Sequence, residues 1–190
     1  LAPIRLPDRP HAGPKPAAFE LQRDCTDMTP PDTALIEALS ASRLAQGLQP
    51  DQVAVLATVV RLANYRAKDV LGVEGHPDNH LYALVEGSLG VVRHMGTPDE
   101  TLVATLRAGD FAHELGFLDG VERYASLVAA SDVRVLVLER EGLESLVDSH
   151  PRVAFGVMRA IVRVVHRAEA RMSMQTAELT NYIVKQHDRY

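Results

Sequence analysis

Short apolar segments separated by turn-forming residues fill positions 67 to 139, and this pattern constrains the fold more than any other feature of the chain. Strands are predicted at 81–85, 87–93, 101–106 and 133–138, with turns at GHPDN (75–79) and GTPD (96–99). Many short strands at intervals of roughly 8 to 12 residues are typical of an antiparallel sandwich or jelly roll. Alternation within 101–106 predicts that Leu102, Ala104 and Leu106 share one face.

Helices are predicted on both sides of these strands. Asp32 is a typical N-cap for a first helix, whose apolar residues share one face and which ends near Gly47. A second helix is predicted to start near Pro50 and to include Val60, and a short helix at 141–147 follows the last strand. The predicted fold class is therefore mainly β with flanking helices: an antiparallel jelly roll, or double-stranded β-helix, with short N-terminal helices and a long C-terminal helix.

The long helix is predicted to begin at Ser149 and Pro151 and to reach His187. A helix this long on a small domain has to bury its apolar seam, and we expect a second copy of the chain to cover it in a two-fold homodimer. The seam residues recur every three, four or seven positions: Met158, Ile161, Val165, Met172, Leu179 and Ile183. Arginines at 159, 163, 167 and 171 are expected to form a basic face that is solvated or pairs with the acidic barrel. The alternative is that one of these arginines leans toward a bound ligand.

The composition limits the class of protein. With 46% hydrophobic residues in 190, the chain can bury a core, and no apolar run reaches the roughly 18 residues that span a bilayer. We therefore expect a cytoplasmic protein without a membrane segment or a signal peptide. Cys25 is the only cysteine, which rules out an internal disulfide. Residues 1–150 contain 13 Lys and Arg against 22 Asp and Glu, which argues that this acidic part does not grip nucleic acid.

Three regions follow from these patterns. Residues 1–31 contain seven prolines and little apolar periodicity, which predicts an extended or disordered N-terminal arm. Residues 32–148 form the predicted β-roll with its short helices, and residues 149–190 form the long helix and predicted dimer interface.

The segment GDFAHELGFLDGVERYASLVA, residues 109–129, has the outline of an anion cradle. A phosphodiester requires a fixed guanidinium and backbone N–H groups at a tight turn or helix start, and a neighbouring sugar hydroxyl requires an acceptor. Arg123 can supply the guanidinium and Glu114, nine positions earlier, the carboxylate. One helical turn at 115–120 fits between them. The alternative for this pair is a structural ion pair at the surface.

These motifs resemble the cyclic nucleotide-binding domain family, which includes the bacterial catabolite activator group and cyclic-nucleotide-regulated kinases and channels. The family's phosphate-binding cassette reads roughly G-D-x-F-G-E, a short helix, then P-R-x-A-T/S. Here G-D at 109–110 opens it, E-L-G at 114–116 supplies the acidic step and R-Y-A-S-L-V-A at 123–129 closes it. Upstream, E-G at 74–75 and Y-A-L-V-E-G-S-L-G-V at 82–91 match the family's strand run.

The resemblance implies a set of binding residues. It assigns the phosphate to Arg123 and cassette amides, and a ribose hydroxyl to Glu114. The implied cyclic nucleotide site comprises His113, Glu114, Leu115, Gly116, Arg123, Tyr124, Ala125 and Ser126, and the implied base-contacting residues are Arg167, Ala168 and Glu169. The chain departs from the pattern in three places: His113 replaces a glycine, Val121-Glu122 replaces the usual proline, and Tyr124 replaces a small residue.

The function implied is a regulatory sensor domain that binds a cyclic nucleotide, cAMP in preference to cGMP, and signals through its flanking helices to an unknown protein effector. The catabolite activator group continues into a winged-helix domain; because this sequence stops first, we expect no direct DNA binding. One alternative is a dimeric scaffold with a degenerate pocket. A third reading, a cupin-like metal enzyme using His76, His80, His113 and Glu86, matches the usual H-x-H…E spacing poorly. The sequence lacks nucleophile, P-loop and C-x-x-C motifs, so we expect no enzyme activity and no cofactor.

Overall fold

The computed structural model describes residues 33–187, so the predicted arm at 1–31, with Cys25, and the Asp32 cap lie outside the described residues. The helices are α1 (Thr33–Ala41), α2 (Pro50–Ala57), α3 (Glu114–Asp119), α4 (Arg140–Ser149) and α5 (Pro151–His187), with a single 3-10 turn at Arg43–Ala45. The strands are β1 (Val60–Tyr65), β2 (Val70–Gly72), β3 (His80–Glu86), β4 (Ser88–Arg93), β5 (Thr101–Arg107), β6 (Phe111–Ala112), β7 (Ser126–Ala129) and β8 (Val133–Glu139).

Two four-stranded antiparallel sheets, in the orders β1-β8-β3-β6 and β2-β7-β4-β5, form the roll. Strand β8 is buried on both faces because it separates two apolar clusters. Its residues Val135 and Val137 pack into the interior between the sheets, whereas Leu136 and Leu138 pack against the helices. This arrangement confirms the predicted class, an antiparallel jelly roll flanked by short N-terminal helices and a long C-terminal helix.

The predicted second helix is wrong at its C-terminal end. Helix α2 ends at Ala57, and Val60 instead begins β1, where it pairs with Leu138 of β8. The apolar run continues without a break from the helix into the strand, so hydrophobicity alone does not show the boundary. Sheet pairing decides it, because Val60 becomes the first rung of a six-residue ladder.

The predicted face of β5 is also wrong. The strand pairs Ala104 with Val91 but Leu102 with Val92, so Val103 is an extra residue at a bulge. The bulge shifts the alternation of side chains between the two faces of β5. Leu106 packs toward the roll interior, whereas Leu102 lies over Gly90 on the other face. Leu102 is consequently 61% exposed on the edge strand.

Helix α5 confirms the predicted long helix and its start at Pro151. Its first part packs on the domain through a buried face: Val153, Ala154, Val157, Ala160, Ile161 and Val164. The predicted seam is therefore divided, because Ile161 is fully buried in its own domain whereas Met158 is 37% exposed. The seam positions Met172, Leu179 and Ile183 lie beyond the side chains that the structure describes. Between residues 33 and 187, no helix has both the length and the hydropathy needed to cross a bilayer.

Candidate functional site

Arg123 is the centre of the candidate site. It lies between α3 and β7 with a side chain that is only 4% exposed, so its charge requires a partner. That partner is Asp78: the Nε–H of Arg123 donates to Oδ2 of Asp78 at 2.7 Å, and an Nη2–H donates to the same oxygen. Asp78 lies in the turn before β3, where the sequence indicated a loop and no binding role.

The sheets fix the guanidinium from two further sides. Its Cζ lies 5.4 Å from the centre of the Tyr82 ring, a cation–π contact in the roll interior. On another side it lies over Gly72, where an added Cβ would be 2.6 Å from Cζ. The backbone of Arg123 is held as well, because its carbonyl accepts from the N–H of Gly75 at 2.8 Å and its N–H donates to the carbonyl of His76 at 3.3 Å.

One end of the guanidinium remains available. Nε and Nη2 of Arg123 are occupied by Asp78, whereas Nη1 has no hydrogen-bond partner among the described residues. No buried side-chain nitrogen or oxygen in the described part of the chain lacks a partner, so Nη1 is in contact with solvent. Asp78 holds the guanidinium by one edge and leaves Nη1 as its remaining donor for an anion.

Asp78 is held by the Arg123 guanidinium and by the imidazole of His80. Its Oδ1 lies 2.7 Å from Nδ1 of His80 and also accepts the backbone N–H of His80 at 2.9 Å. Burial alone would raise the pKa of Asp78, but the hydrogen bond from His80 and the charge of Arg123 outweigh it and lower the pKa to about 2. Asp78 is therefore a carboxylate at neutral pH, and the pair with Arg123 is ionic.

Glu114, the first residue of α3, is half-buried and makes no ion pair or hydrogen bond with Arg123 in the described structure. Burial raises its pKa, its own backbone N–H lowers it, and the charge of Asp110 raises it further. The structural ion pair considered as the alternative for Glu114 and Arg123 is thus absent. Helix α3 itself confirms the helical turn predicted between them.

His113 adopts the left-handed conformation, with φ 69° and ψ 31°, at the position where the family pattern has glycine. Its Nε2 lies 2.9 Å from the carbonyl oxygen of Asp78, so Nε2 carries the hydrogen in this contact. The ring covers Gly116, where an added Cβ would lie 2.7 Å from both ring nitrogens. Burial and the charge of Arg123 lower the pKa of His113, which favours the neutral imidazole.

The other predicted site residues differ in exposure. Tyr124 is 66% exposed, so its ring extends to solvent and does not fill the roll interior, and Leu115 is 60% exposed on α3. Ala125 and Ser126 are buried, and the hydroxyl of Ser126 accepts the backbone N–H of Glu74 at 3.0 Å. The structure thus brings Arg123 and Ser126 together beneath the loop before β3.

Two arginines that the sequence analysis missed anchor the cassette to the flanking helices. Arg43, in the 3-10 turn, donates to the carbonyl of Gly109 at 2.7 Å. Arg140, the first residue of α4, donates to the carbonyls of Gly116 and Phe117 at 2.7 and 2.8 Å. The carbonyl groups at the end of α3 therefore find partners in α4. No sequence motif marks these contacts, because each joins residues more than 20 positions apart.

The predicted base-contacting residues lie on α5. Arg167 and Glu169 are exposed and Ala168 is half-buried, and Glu169 lies 3.8 Å from Nδ1 of His166. No ion pair or hydrogen bond joins these three residues to Glu114 or Arg123 in the described structure. Their contact with a base stays a prediction.

The histidines do not form a metal centre in the described residues, which contain no group of three or more His, Cys, Asp or Glu able to hold a metal ion. His76 is exposed, as expected of a loop residue. From the sequence, His80 is also predicted to be a solvent-facing loop residue, and this prediction is wrong: His80 begins β3, is half-buried and pairs with Asp78. The side chain of Glu86 faces Arg134 at 3.4 Å.

A groove of about 310 Å³ lies elsewhere on the roll. It is lined by Asn64, Tyr65, Arg66, Glu86, Asp132, Val133 and Arg134. None of the predicted cyclic nucleotide-binding residues lines it, so the groove and the Arg123 site are separate.

Comparison with known proteins supports the resemblance found in the sequence. Residues 62–150 match the family model of the cyclic nucleotide-binding domain. The chain is 24% identical over 131 residues to a CRP-like cAMP-activated global transcriptional regulator of Mycobacterium tuberculosis, covering 69% of this chain and 58% of the relative. It is 28% identical over 141 residues to the cyclic AMP receptor protein of Thermus thermophilus, covering 74% of this chain and 65% of the relative.

A solved cyclic nucleotide-binding domain from Methylobacillus flagellatus has the same fold. It superposes with a TM-score of 0.67 at 21% identity, over 75% of this chain and 82% of the other. The fold of the described residues is thus that of known cyclic nucleotide-binding domains. The chain spans about three fifths of the length of the two regulators named above.

Proposed function

Because residues 62–150 match the cyclic nucleotide-binding domain family, we propose that this chain is a regulatory sensor that binds a cyclic nucleotide, with cAMP preferred over cGMP. The observation that carries the proposal is the buried guanidinium of Arg123, fixed by Asp78 on one edge and open at Nη1. Nη1 is the guanidinium nitrogen that Asp78 leaves unpaired, and it can donate to one anionic oxygen of a cyclic phosphodiester. The names of the two bacterial relatives favour cAMP.

Each part of the cassette has a proposed role. Nη1 of Arg123 donates to a phosphate oxygen, and backbone N–H groups at 114–116 contribute further donors. Glu114 accepts from the ribose 2′ hydroxyl, a group that hydrogen-bonds well to a half-buried carboxylate. We place Tyr124 at the rim because its ring is exposed. Partial burial and, after it, the charge of Glu114 raise the pKa of its hydroxyl. We propose that the site binds its ligand without catalysing a reaction, because none of these groups forms a nucleophile paired with a general base.

Ligand occupancy is proposed to reach the helices through the two anchoring arginines. Arg43 holds the start of the cassette at Gly109, and Arg140 holds α3 at Gly116 and Phe117. If the ligand draws α3 toward the phosphate, both anchors transmit the displacement to the helices that carry them. The ligand then shifts the population of two helix arrangements according to its different contacts with each.

A homodimer through α5 is the second part of the proposal. Phe155, Met158 and Val162 follow one another at intervals of three and four residues on the face of α5 opposite its buried side, and they are 62%, 37% and 48% exposed. An apolar stripe of this kind on a helix that continues to His187 suits a matching stripe on a second copy.

Titration calorimetry with cAMP and cGMP tests the function. Wild type is expected to bind cAMP more tightly than cGMP, and Arg123→Lys to lose at least tenfold in affinity because lysine cannot hold Asp78 and phosphate with one planar fork. Arg134→Lys is the matched control, since Arg134 pairs with the exposed side chain of Glu86 away from the cassette. Equal affinity in the Arg123→Lys and Arg134→Lys proteins would contradict the proposed site.

A second candidate function is a dimeric scaffold that has lost its ligand. The observation that favours it is the Asp78 carboxylate, which already neutralises Arg123 without any ligand. Absence of binding heat for both nucleotides with wild type, together with a stable dimer, would favour this scaffold over the sensor.

A further inference from the structure

A row of charged groups extends behind Arg123, away from its open end. Arg123 contacts Oδ2 of Asp78, and the other oxygen of the same carboxylate contacts Nδ1 of His80 at 2.7 Å. The second ring nitrogen of His80 lies 3.5 Å from Oε1 of Glu139. The imidazole is therefore held between two carboxylates, and one of these is shared with the guanidinium proposed to bind the ligand.

We propose that His80 and Asp78 are positioning residues which couple binding of a cyclic phosphodiester at Arg123 to protonation of His80. The inference rests on the proposed function and adds a regulatory input to the same site. When His80 is an imidazolium, Asp78 is shared by two full cations and the cluster carries one more positive charge. When His80 is neutral, Asp78 cancels more of the charge of Arg123, and the site attracts the phosphodiester less strongly.

The surroundings of His80 favour its imidazolium form on balance. The hydrogen bond with Asp78 raises the pKa of His80, burial opposes this, and the charges of Asp78 and Glu139 raise it further. Arg61 of β1 acts in the opposite sense. The Tyr82 ring lies 6.1 Å from the His80 ring, and burial raises the pKa of the Tyr82 hydroxyl, which stays neutral.

The sign of the effect follows from these charges. A bound phosphodiester adds a negative charge near the cluster and so favours the imidazolium, which means that binding takes up a proton. Affinity is then highest below the pKa of His80 in the free protein and falls as the pH rises above it. The side chain of Asp78 separates the imidazolium of His80 from the phosphodiester, so the two charges interact weakly. We therefore expect the dissociation constant to change by about five- to tenfold.

Measurement of the cAMP dissociation constant between about pH 6 and pH 9 tests the coupling, because neither the adenine ring nor the cyclic phosphate titrates in that interval. Wild type is expected to bind about five- to tenfold more weakly at the upper end. His80→Asn keeps a side-chain N–H for Asp78 but cannot titrate, so its affinity should be nearly independent of pH. His76→Asn removes an exposed imidazole from the loop that contains Asp78. Its cAMP affinity should depend on pH as in wild type.

The outcomes separate the two proposals. Failure of wild type to bind at every pH would overturn the proposed function and this inference with it. Binding that is constant across the pH range, or a pH dependence that persists in His80→Asn, would overturn the coupling and leave the sensor intact. If His80→Asn does not fold, an NMR titration of the His80 ring in wild type decides the matter: its pKa must rise when cAMP binds, and an unchanged pKa would refute the coupling.

Discussion

Arg123 donates two N–H groups to one carboxylate oxygen of Asp78, a residue 45 positions earlier in the chain, and this ion pair is nearly inaccessible to solvent. It joins the cassette to the turn before β3 and fixes which edge of the guanidinium remains open. The candidate binding site therefore depends on an acidic side chain that belongs to no recognised cassette motif.

Removal of Arg123 is expected to destabilise the domain as well as its ligand site. In Arg123→Ala the buried carboxylate of Asp78 loses its guanidinium partner, and we expect the free energy of unfolding to fall by about 3 kcal/mol. Urea unfolding at neutral pH measures this loss. The double variant Arg123→Ala/Asp78→Asn removes the stranded charge and should recover part of it. Unfolding energies that simply add in the double variant would show that the two residues do not interact.

Stability should fall in acid because of Asp78. Its pKa is lowered to about 2 in the folded protein from the ordinary 3.8, so its contribution is complete above the unfolded pKa and disappears as the pH falls toward 2. This difference between the folded and unfolded pKa values of Asp78 corresponds to about 2 kcal/mol of unfolding free energy. Unfolding measured at several values between about pH 5 and pH 2 should show this loss in wild type. In Asp78→Asn that part of the slope should be missing, and an identical slope in both proteins would contradict the assignment.

Gly72→Ala should weaken ligand binding although it replaces no charged residue. An added Cβ would lie 2.6 Å from Cζ of Arg123, so the guanidinium has to leave its place between Asp78 and Tyr82. We expect cAMP affinity to drop at least tenfold and stability to fall by about 1–3 kcal/mol. Gly96→Ala is the control, because an added Cβ there meets no atom within 4 Å, although its φ of 78° makes the backbone strained. Comparable losses of affinity in the two variants would reject the steric account.

Arg140→Ala should loosen the cassette helix. Without this side chain the carbonyls of Gly116 and Phe117 lose their donors at 2.7 and 2.8 Å, and α3 has only six residues to hold itself together. Amide hydrogen exchange in residues 114–120 is expected to accelerate, most clearly at the N–H of Gly120, which is bonded to Gly116. Arg134→Ala serves as the comparison, since its side chain pairs with Glu86 at 3.4 Å. Unchanged exchange in Arg140→Ala would remove this anchor from the proposed signalling route.

Charge on the exposed face of α5 should prevent self-association. Val162→Glu places a carboxylate in the proposed dimer stripe, and analytical ultracentrifugation is expected to show a shift from dimer to monomer at micromolar concentration. Val103→Glu alters an equally exposed valine on the β5 edge and should leave the dimer unchanged. A wild-type protein that sediments as a monomer at all concentrations would refute the dimer.

Local sequence patterns predicted most of the helices and strands but not the residues at which they begin and end. Turn chemistry and apolar alternation predicted β3, β4, β5 and β8, and Pro151 predicted the start of α5. The short strand β6 escaped because two residues carry too little periodicity to distinguish a strand from a loop. The change from α2 to β1 escaped because the apolar run continues across it. The bulge at Val103 escaped for a similar reason, since an extra residue is defined by its partner strand.

The sequence by itself determined the jelly-roll class and the long terminal helix, and it predicts the cassette with Glu114 and Arg123, because spacing and hydrophobic periodicity are local properties of the chain. Only the tertiary structure decided that Arg123 is held by Asp78, that His80 belongs to the same charge cluster, and that Tyr124 turns to solvent. These relationships join residues from different strands and turns. Burial and the resulting low dielectric set their strength, and neither can be read from one segment at a time.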